Sequence, residues 1–360
     1  MKFTHAIKVS SPGPRIINWS YYPNPDTLWL IDDSRFALAS SQPLNGTVIS
    51  VDTDSGGNFT ESMWSGIALN VSDVDEVLAR FQARNVRGWG ALTSNFIAVN
   101  TETFAIDWFD PAITTVVSNL SLAGWFASQA GVGLWFDAEG YSQEPWQYST
   151  MPGAGSHTFA EYETQVYTLA RLIARNWMTY NPRFLFASYK GYYEWYQYLE
   201  NNGDTQSNRE ANPYGLFKSF LDGIYDEFGT TGLPKVIKAG NRGWNCSDLS
   251  CFTFEYARVT GYGNVNYQGP APYYFNDTLF GSALYLTGDN NGAHAPFNPA
   301  TPGDNYMTPD LMKSTLLMQQ TFSSVRYQWV YTENITFYEP PAGWGLIPDA
   351  YLTKLREIVR

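Results

Sequence analysis

Short β-rich apolar runs alternate with longer amphipathic segments along all 360 residues, and this predicts a (β/α)8 barrel. Three observations carry the prediction. Roughly eight apolar runs occur, most of them followed by a helical pattern. No internal repeat or low-complexity linker divides the chain. Acids and amides recur at the ends of the runs, where a barrel of parallel strands opens. At about 150 residues per domain the length suggests two domains, but barrels routinely exceed that as one unit. The expectation is one barrel domain over 1–360 with extended loops and an N-terminal extension over 1–14.

The first strand is read at 15–22, closed by Pro-Asn-Pro, and the second at 46–52. A helix follows, opened by Ser72 with Asp75 three residues on, carrying Val74, Val77, Leu78 and Phe81 at helical spacing. The third strand is 95–100. Asp110-Pro111 then starts a helix whose face is Ile113, Val116, Val117 and Leu120, with Gly131 as its stop. The fourth strand is 133–141. Thr158 and Glu161 form a capping box for a long helix running to about Asn181. The fifth strand is 183–189, and a helical region over 192–228 is interrupted by a polar loop at 201–212. The sixth strand is 235–241 and the seventh 282–289. Thr308-Pro309-Asp310 opens a helix through 325, and the eighth strand is 328–333.

Composition narrows the function. Lys+Arg total 22 against 34 Asp+Glu, so the net charge is 22 − 34 = −12. A nucleic-acid binder needs a basic footprint, which an acidic chain with scattered cations lacks. No apolar run reaches 18 residues, so no membrane-spanning helix is expected. Charged residues are only 16%, against about 25% in ordinary globular chains, while aromatics reach 17%. An uncharged, aromatic-rich surface suits hydroxyl-rich ligands such as sugars; the same composition also fits a large aromatic core with polar exposed faces.

Asp137 and Glu139 stand two apart at the end of the fourth strand, so both face the same side, with Trp135 one step deeper. Two carboxylates in proximity disfavour double ionisation, and glycosidases use such a pair as proton donor and nucleophile or base. Glu333 ends the eighth strand, across a barrel from the fourth, and is the second member; Asp289 is its competitor. Asp52, Asn95, Tyr189, Asn241 and Asp289 are candidates to bond sugar hydroxyls, and Trp135 or Trp195 to stack on a ring. Trp135 is equally read as a barrel-core filler, and the Tyr189–Tyr196 cluster as the buried start of an outer helix.

No rival chemistry is supplied. The three histidines (His5, His157, His294) have no metal-type neighbours, and there is no Gly-x-Ser-x-Gly elbow, P-loop or Gly-x-Gly-x-x-Gly after a strand. No metal or cofactor is expected. Glu255 is read as structural. Cys246 and Cys251 either close a small disulfide loop or remain two thiols; their spacing is too short for a zinc framework. Sequons at Asn45, Asn58, Asn70, Asn119, Asn245, Asn276 and Asn334 are glycosylation candidates, Asn18 being set aside inside a strand. Low charge, sequons and the cysteine pair point to an extracellular or cell-surface setting, although no signal peptide is visible at the N-terminus.

Leu92-Thr-Ser-Asn95-Phe-Ile, then Leu134-Trp-Phe-Asp137-Ala-Glu139-Gly-Tyr141, then Trp329-Val-Tyr-Thr-Glu333, resembles a group of bacterial glycoside-hydrolase-like barrel proteins over roughly 15–340. The resemblance implies a TIM-type barrel and glycosidase activity, and carries over Asp137, Glu139 and Glu333. Two departures stand out. Arg242, in Gly240-Asn241-Arg242, replaces a carboxylate of that group, which would select an anionic sugar or remove catalysis. Ser94 stands where an Asp is usual. The expected function is a glycoside hydrolase acting on a polysaccharide or glycoside, with Glu139 as acid or acid/base, Glu333 as nucleophile or base, and Asp137 orienting Glu139. The alternative is a non-catalytic extracellular glycoprotein barrel that binds carbohydrate or self-assembles.

Overall fold

The computed structural model describes residues 14–20, 27–101, 106–140, 145–239, 246, 248–266, 278–286, 297–322, 325–332, 335–337 and 345–359. Eight parallel strands close into a barrel in sequence order: β1 (Arg15–Ser20), β2 (Gly46–Ile49), β3 (Phe96–Asn100), β4 (Gly133–Asp137), β5 (Leu185–Ser188), β6 (Lys235–Lys238), β7 (Thr278–Tyr285) and β8 (Val325–Thr332). β8 pairs with β1 and completes the ring. Around it lie α1 (Asp33–Ser40), α2 (Phe59–Ser62), α3 (Asp75–Arg87), α4 (Ile113–Ala130), α5 (Phe159–Tyr180), α6 (Tyr192–Asn202), α7 (Gln206–Ala211), α8 (Phe217–Gly229), α9 (Leu249–Asn266), α10 (Pro309–Gln320) and α11 (Asp349–Arg356). The predicted (β/α)8 barrel is the observed fold.

Two apolar layers hold it. Inside the ring, Ile17, Phe96, Trp135, Ile237, Tyr327 and Trp329 pack as one cluster. The rings of Trp135 on β4 and Trp329 on β8 meet across the barrel, centroids 4.2 Å apart. Small residues make room for them: a Cβ on Gly281 would come within 2.6 Å of the Trp329 indole nitrogen, and Ala187 and Ala283 complete the layer. Between ring and helices lies the larger core, in which Trp64, Trp108, Trp146 and Trp177 are fully buried. Much of the aromatic surplus is therefore core.

Local signals account for the long helices. Thr158 and Glu161 cap α5 as expected, and Gly131, with φ +69°, ends α4 in the left-handed conformation that favours glycine. Thr308 caps α10, with Pro309 in its first turn.

Four expectations are corrected. Ser72 does not open α3; 71–73 form a 3-10 turn, and α3 is capped from elsewhere by Asp54, which accepts from the Glu76 and Val77 amides at 2.9 and 3.0 Å. The polar stretch 201–212 contains α7, capped by Thr205. β7 begins at Thr278, four residues early, and α10 stops at Gln320 because β8 starts at Val325. Of the expected seventh strand, 287–289 lie outside the described residues. Among the described residues, no helix is long and apolar enough to cross a membrane.

Candidate active site

All eight strands run the same way, so their C-terminal ends form one rim. Asp137 is the last residue of β4, in register with Asn100, the last of β3. Alternation along this strand is unbroken into the loop. Phe136 and Ala138 face the helix layer and Trp135 faces inward, which sends Asp137 and Glu139 to the inner side. Asp137 is 3% exposed and accepts from the Glu139 amide at 3.0 Å. Thr101 holds the Glu139 carbonyl at 2.9 Å. The Glu139 side chain stays a quarter exposed and forms an ion pair with Lys190, Nζ to Oε1, at 2.6 Å.

Lys190 itself is buried beneath the rim. Its ammonium sits 4.3 Å from the Tyr189 ring centroid, and its carbonyl accepts from Ser188 at 2.6 Å. Behind it, Lys238 at the end of β6 pairs with Glu194 of α6 at 3.1 Å, both nearly buried. Glu194 also accepts from the Gly191 amide at 2.6 Å, which starts α6. A Cβ at Gly191 would lie 2.0 Å from the Lys238 ammonium, so a larger residue here would push that side chain from its place. Two acid–lysine pairs thus fix the mouth between β4, β5 and β6.

Asp52 lies beyond β2 on the same rim and is half-buried. Burial pushes its carboxyl up to about 6, helped by the neighbouring Glu61 carboxylate.

Other expectations fall differently. Asn95 precedes β3 instead of ending it. It sits at the opposite end of the barrel, where its side chain accepts from Thr47 N (3.1 Å) and donates to Leu92 O (2.8 Å). Ser94 is at that end too, bonded to Arg15. Trp135 and Tyr189 are 1% exposed and pack on each other, so they floor the site and offer no open face to a sugar. Trp195 is buried in the helix layer, its ring 5.8 Å from the Lys218 ammonium. Glu333, Asn241, Arg242 and Asp289 lie outside the described residues.

Cys246 and Cys251 form a disulfide at the start of α9. Of the sequons, Asn119 is withdrawn as a glycan acceptor. It is fully buried, accepting from Leu69 N at 3.0 Å and donating to Ile67 O at 2.8 Å. Asn45 accepts from Ile16 N, Asn58 caps α2, and Asn70 is exposed. Asn245, Asn276 and Asn334 lie outside the described residues. Glu255 falls in α9.

Sequence reasoning missed Lys190, Glu194 and Lys238. The signal was available: a lysine directly following or closing an apolar strand belongs to the same rim as the acids it flagged.

No family model matches the chain, and no curated protein matches it. Among solved structures, it is similar to a GH5-4 broad specificity endoglucanase from Clostridium acetobutylicum (10% identity, TM-score 0.49, covering 94% of this chain and 96% of that one). It is similar also to the endo-beta-1,4-glucanase Xac0029 from Xanthomonas axonopodis pv. citri (10%, 0.47, 94% and 92%). A third is the GH113 beta-mannanase AaManA from Alicyclobacillus acidocaldarius (9%, 0.47, 97% of both). These neighbours are glycoside hydrolases.

Proposed function

We propose that this chain is a glycoside hydrolase acting on a polysaccharide or glycoside, with its chemistry at the C-terminal mouth of the barrel. The observation that carries the proposal is the β4 end, where Asp137 and Glu139 converge on the inner side and Glu139 alone of the two keeps solvent access. A glycosidase needs two carboxyl groups flanking one bond. Glu139 is one. Glu333 is the other, since it directly follows β8, four strands from β4 in the ring.

The Lys190 contact bears on the roles. A general acid has to carry its proton, whereas Glu139 is the anionic half of an ion pair. That arrangement suits a nucleophile or base, leaving Glu333 as the proton donor, the reverse of the assignment expected from sequence. Asp137 orients Glu139 through its backbone amide. Asp52 and Asn100 would meet sugar hydroxyls on the β2–β3 side of the rim. The disulfide supports an oxidising, extracellular setting.

A crystal structure with a bound oligosaccharide tests this. Carboxyl groups of Glu139 and Glu333 about 5–5.5 Å apart would mark a retaining enzyme, and about 6.5–9.5 Å an inverting one. A wider separation, or sugar bound away from Glu139, would refute the assignment.

A further inference from the structure

The outer face of the barrel has a second concave surface. α4 runs for 18 residues, Ile113 to Ala130, without one charged side chain. An outer helix normally turns a charged stripe to water. Here the outward positions include Thr114 and Ser118, and beside them lies a groove of about 750 Å³ between α4, α5 and the turn at 69–71. No charged residue lines it. Two rings do, Trp125 of α4 and Tyr180 of α5, the latter 43% exposed. The lining also includes the hydroxyl of Ser118 and the amide of Asn176, with Val71 and Leu172 as aliphatic wall. The far wall is fixed in advance, because Asn119 grips the turn through Leu69 N and Ile67 O. Asn176 is likewise held, donating to Ser121 at 2.8 Å. Preformed concave sites with a few placed polar groups are what ligands use.

We infer that this groove binds a neutral oligosaccharide. Rings bearing C–H faces pack on aromatic side chains, and sugar hydroxyls exchange hydrogen bonds with hydroxyls and amides. A charge-free lining leaves no ionic group to be desolvated by a neutral ligand and gives no attraction to phosphate or carboxylate. Thr114 and Trp125 are three turns apart, roughly 16 Å of helix rise, room for a chain in place of a single sugar. The inference stands apart from hydrolysis at the mouth.

The test is calorimetric titration of the full chain with cellohexaose, mannohexaose and xylohexaose, against Ser118→Glu, Tyr180→Ala and the mouth variant Asp137→Asn. Ser118 is exposed, so its replacement adds a charge to the groove without emptying the core. At least one hexasaccharide should bind, and Ser118→Glu and Tyr180→Ala should each weaken the groove's share of that binding tenfold or more, in the wild-type and Asp137→Asn backgrounds alike. Binding untouched by both groove variants, or binding by none of the three sugars, would overturn the inference. So would sedimentation showing that copies of the chain associate and that Ser118→Glu separates them. A wild type that binds in the groove but hydrolyses none of the three sugars would count only against the reading of the mouth.

Discussion

The Lys190 ammonium lies 2.6 Å from the Glu139 carboxylate and 4.3 Å from the centroid of the Tyr189 ring. Lys190 is therefore held from below by an aromatic face and holds the acid above it. A flexible side chain fixed at both ends is a positioning residue, and misplacing a reacting group by about 1 Å costs on the order of 10²-fold in rate. Lys190→Met should lower kcat by about that factor and leave KM within a fewfold, with Lys190→Arg recovering part of the loss. Steady-state kinetics on the best substrate checks this; unchanged kcat in Lys190→Met would remove Lys190 from the machinery.

The second pair is structural. Lys238 and Glu194 are both nearly buried and 3.1 Å apart. Removing one partner of such a pair strands the other charge and costs about 3–5 kcal/mol. Lys238→Met should destabilise by that order in urea unfolding, and adding Glu194→Gln should recover more than half. Gly191→Ala should act like Lys238→Met, since its methyl would occupy the ammonium's place.

Asp54 caps α3 from 22 residues away, through the Glu76 amide, and also holds that of Val77. Asp54→Ala should cost about 1 kcal/mol of stability, the usual worth of a cap. Ser72→Ala should change little. Equal effects of the two variants in thermal unfolding would contradict the observed cap.

Asp52 gives a pH signature. Its folded value is raised, from 3.8 to about 6. Between those two values the folded state binds more protons than the unfolded one, so stability falls as pH rises through the window. Asp52→Asn should therefore be more stable than the wild type at pH 7, the gain shrinking below pH 6 and vanishing near pH 3.8. Chemical unfolding of both proteins from pH 4 to 7 measures it, and a constant difference would contradict the assignment.

The sequence revealed those features that are local. The Thr158/Glu161 box, the Gly131 stop and the Trp135/Asp137 alternation all appear where spacing puts them. Asn95 stands just before β3 and so lies at the end of the barrel opposite the mouth. What spacing did not carry is pairing over distance. Lys190 meets Glu139 only once β4 and β5 are adjacent, and Asp54 reaches α3 only after the β2 loop folds back. Asn119 reads as an exposed sequon until the turn at 67–69 closes over it.

The most direct test of the central claim is hydrolysis of a panel of purified polysaccharides and aryl glycosides by the wild type, Glu139→Gln and Glu333→Gln. The wild type should cleave at least one substrate, and each variant should lose roughly 10²–10⁴-fold in kcat while remaining folded. A wild type inert on the whole panel, or either variant retaining full activity, would contradict the account.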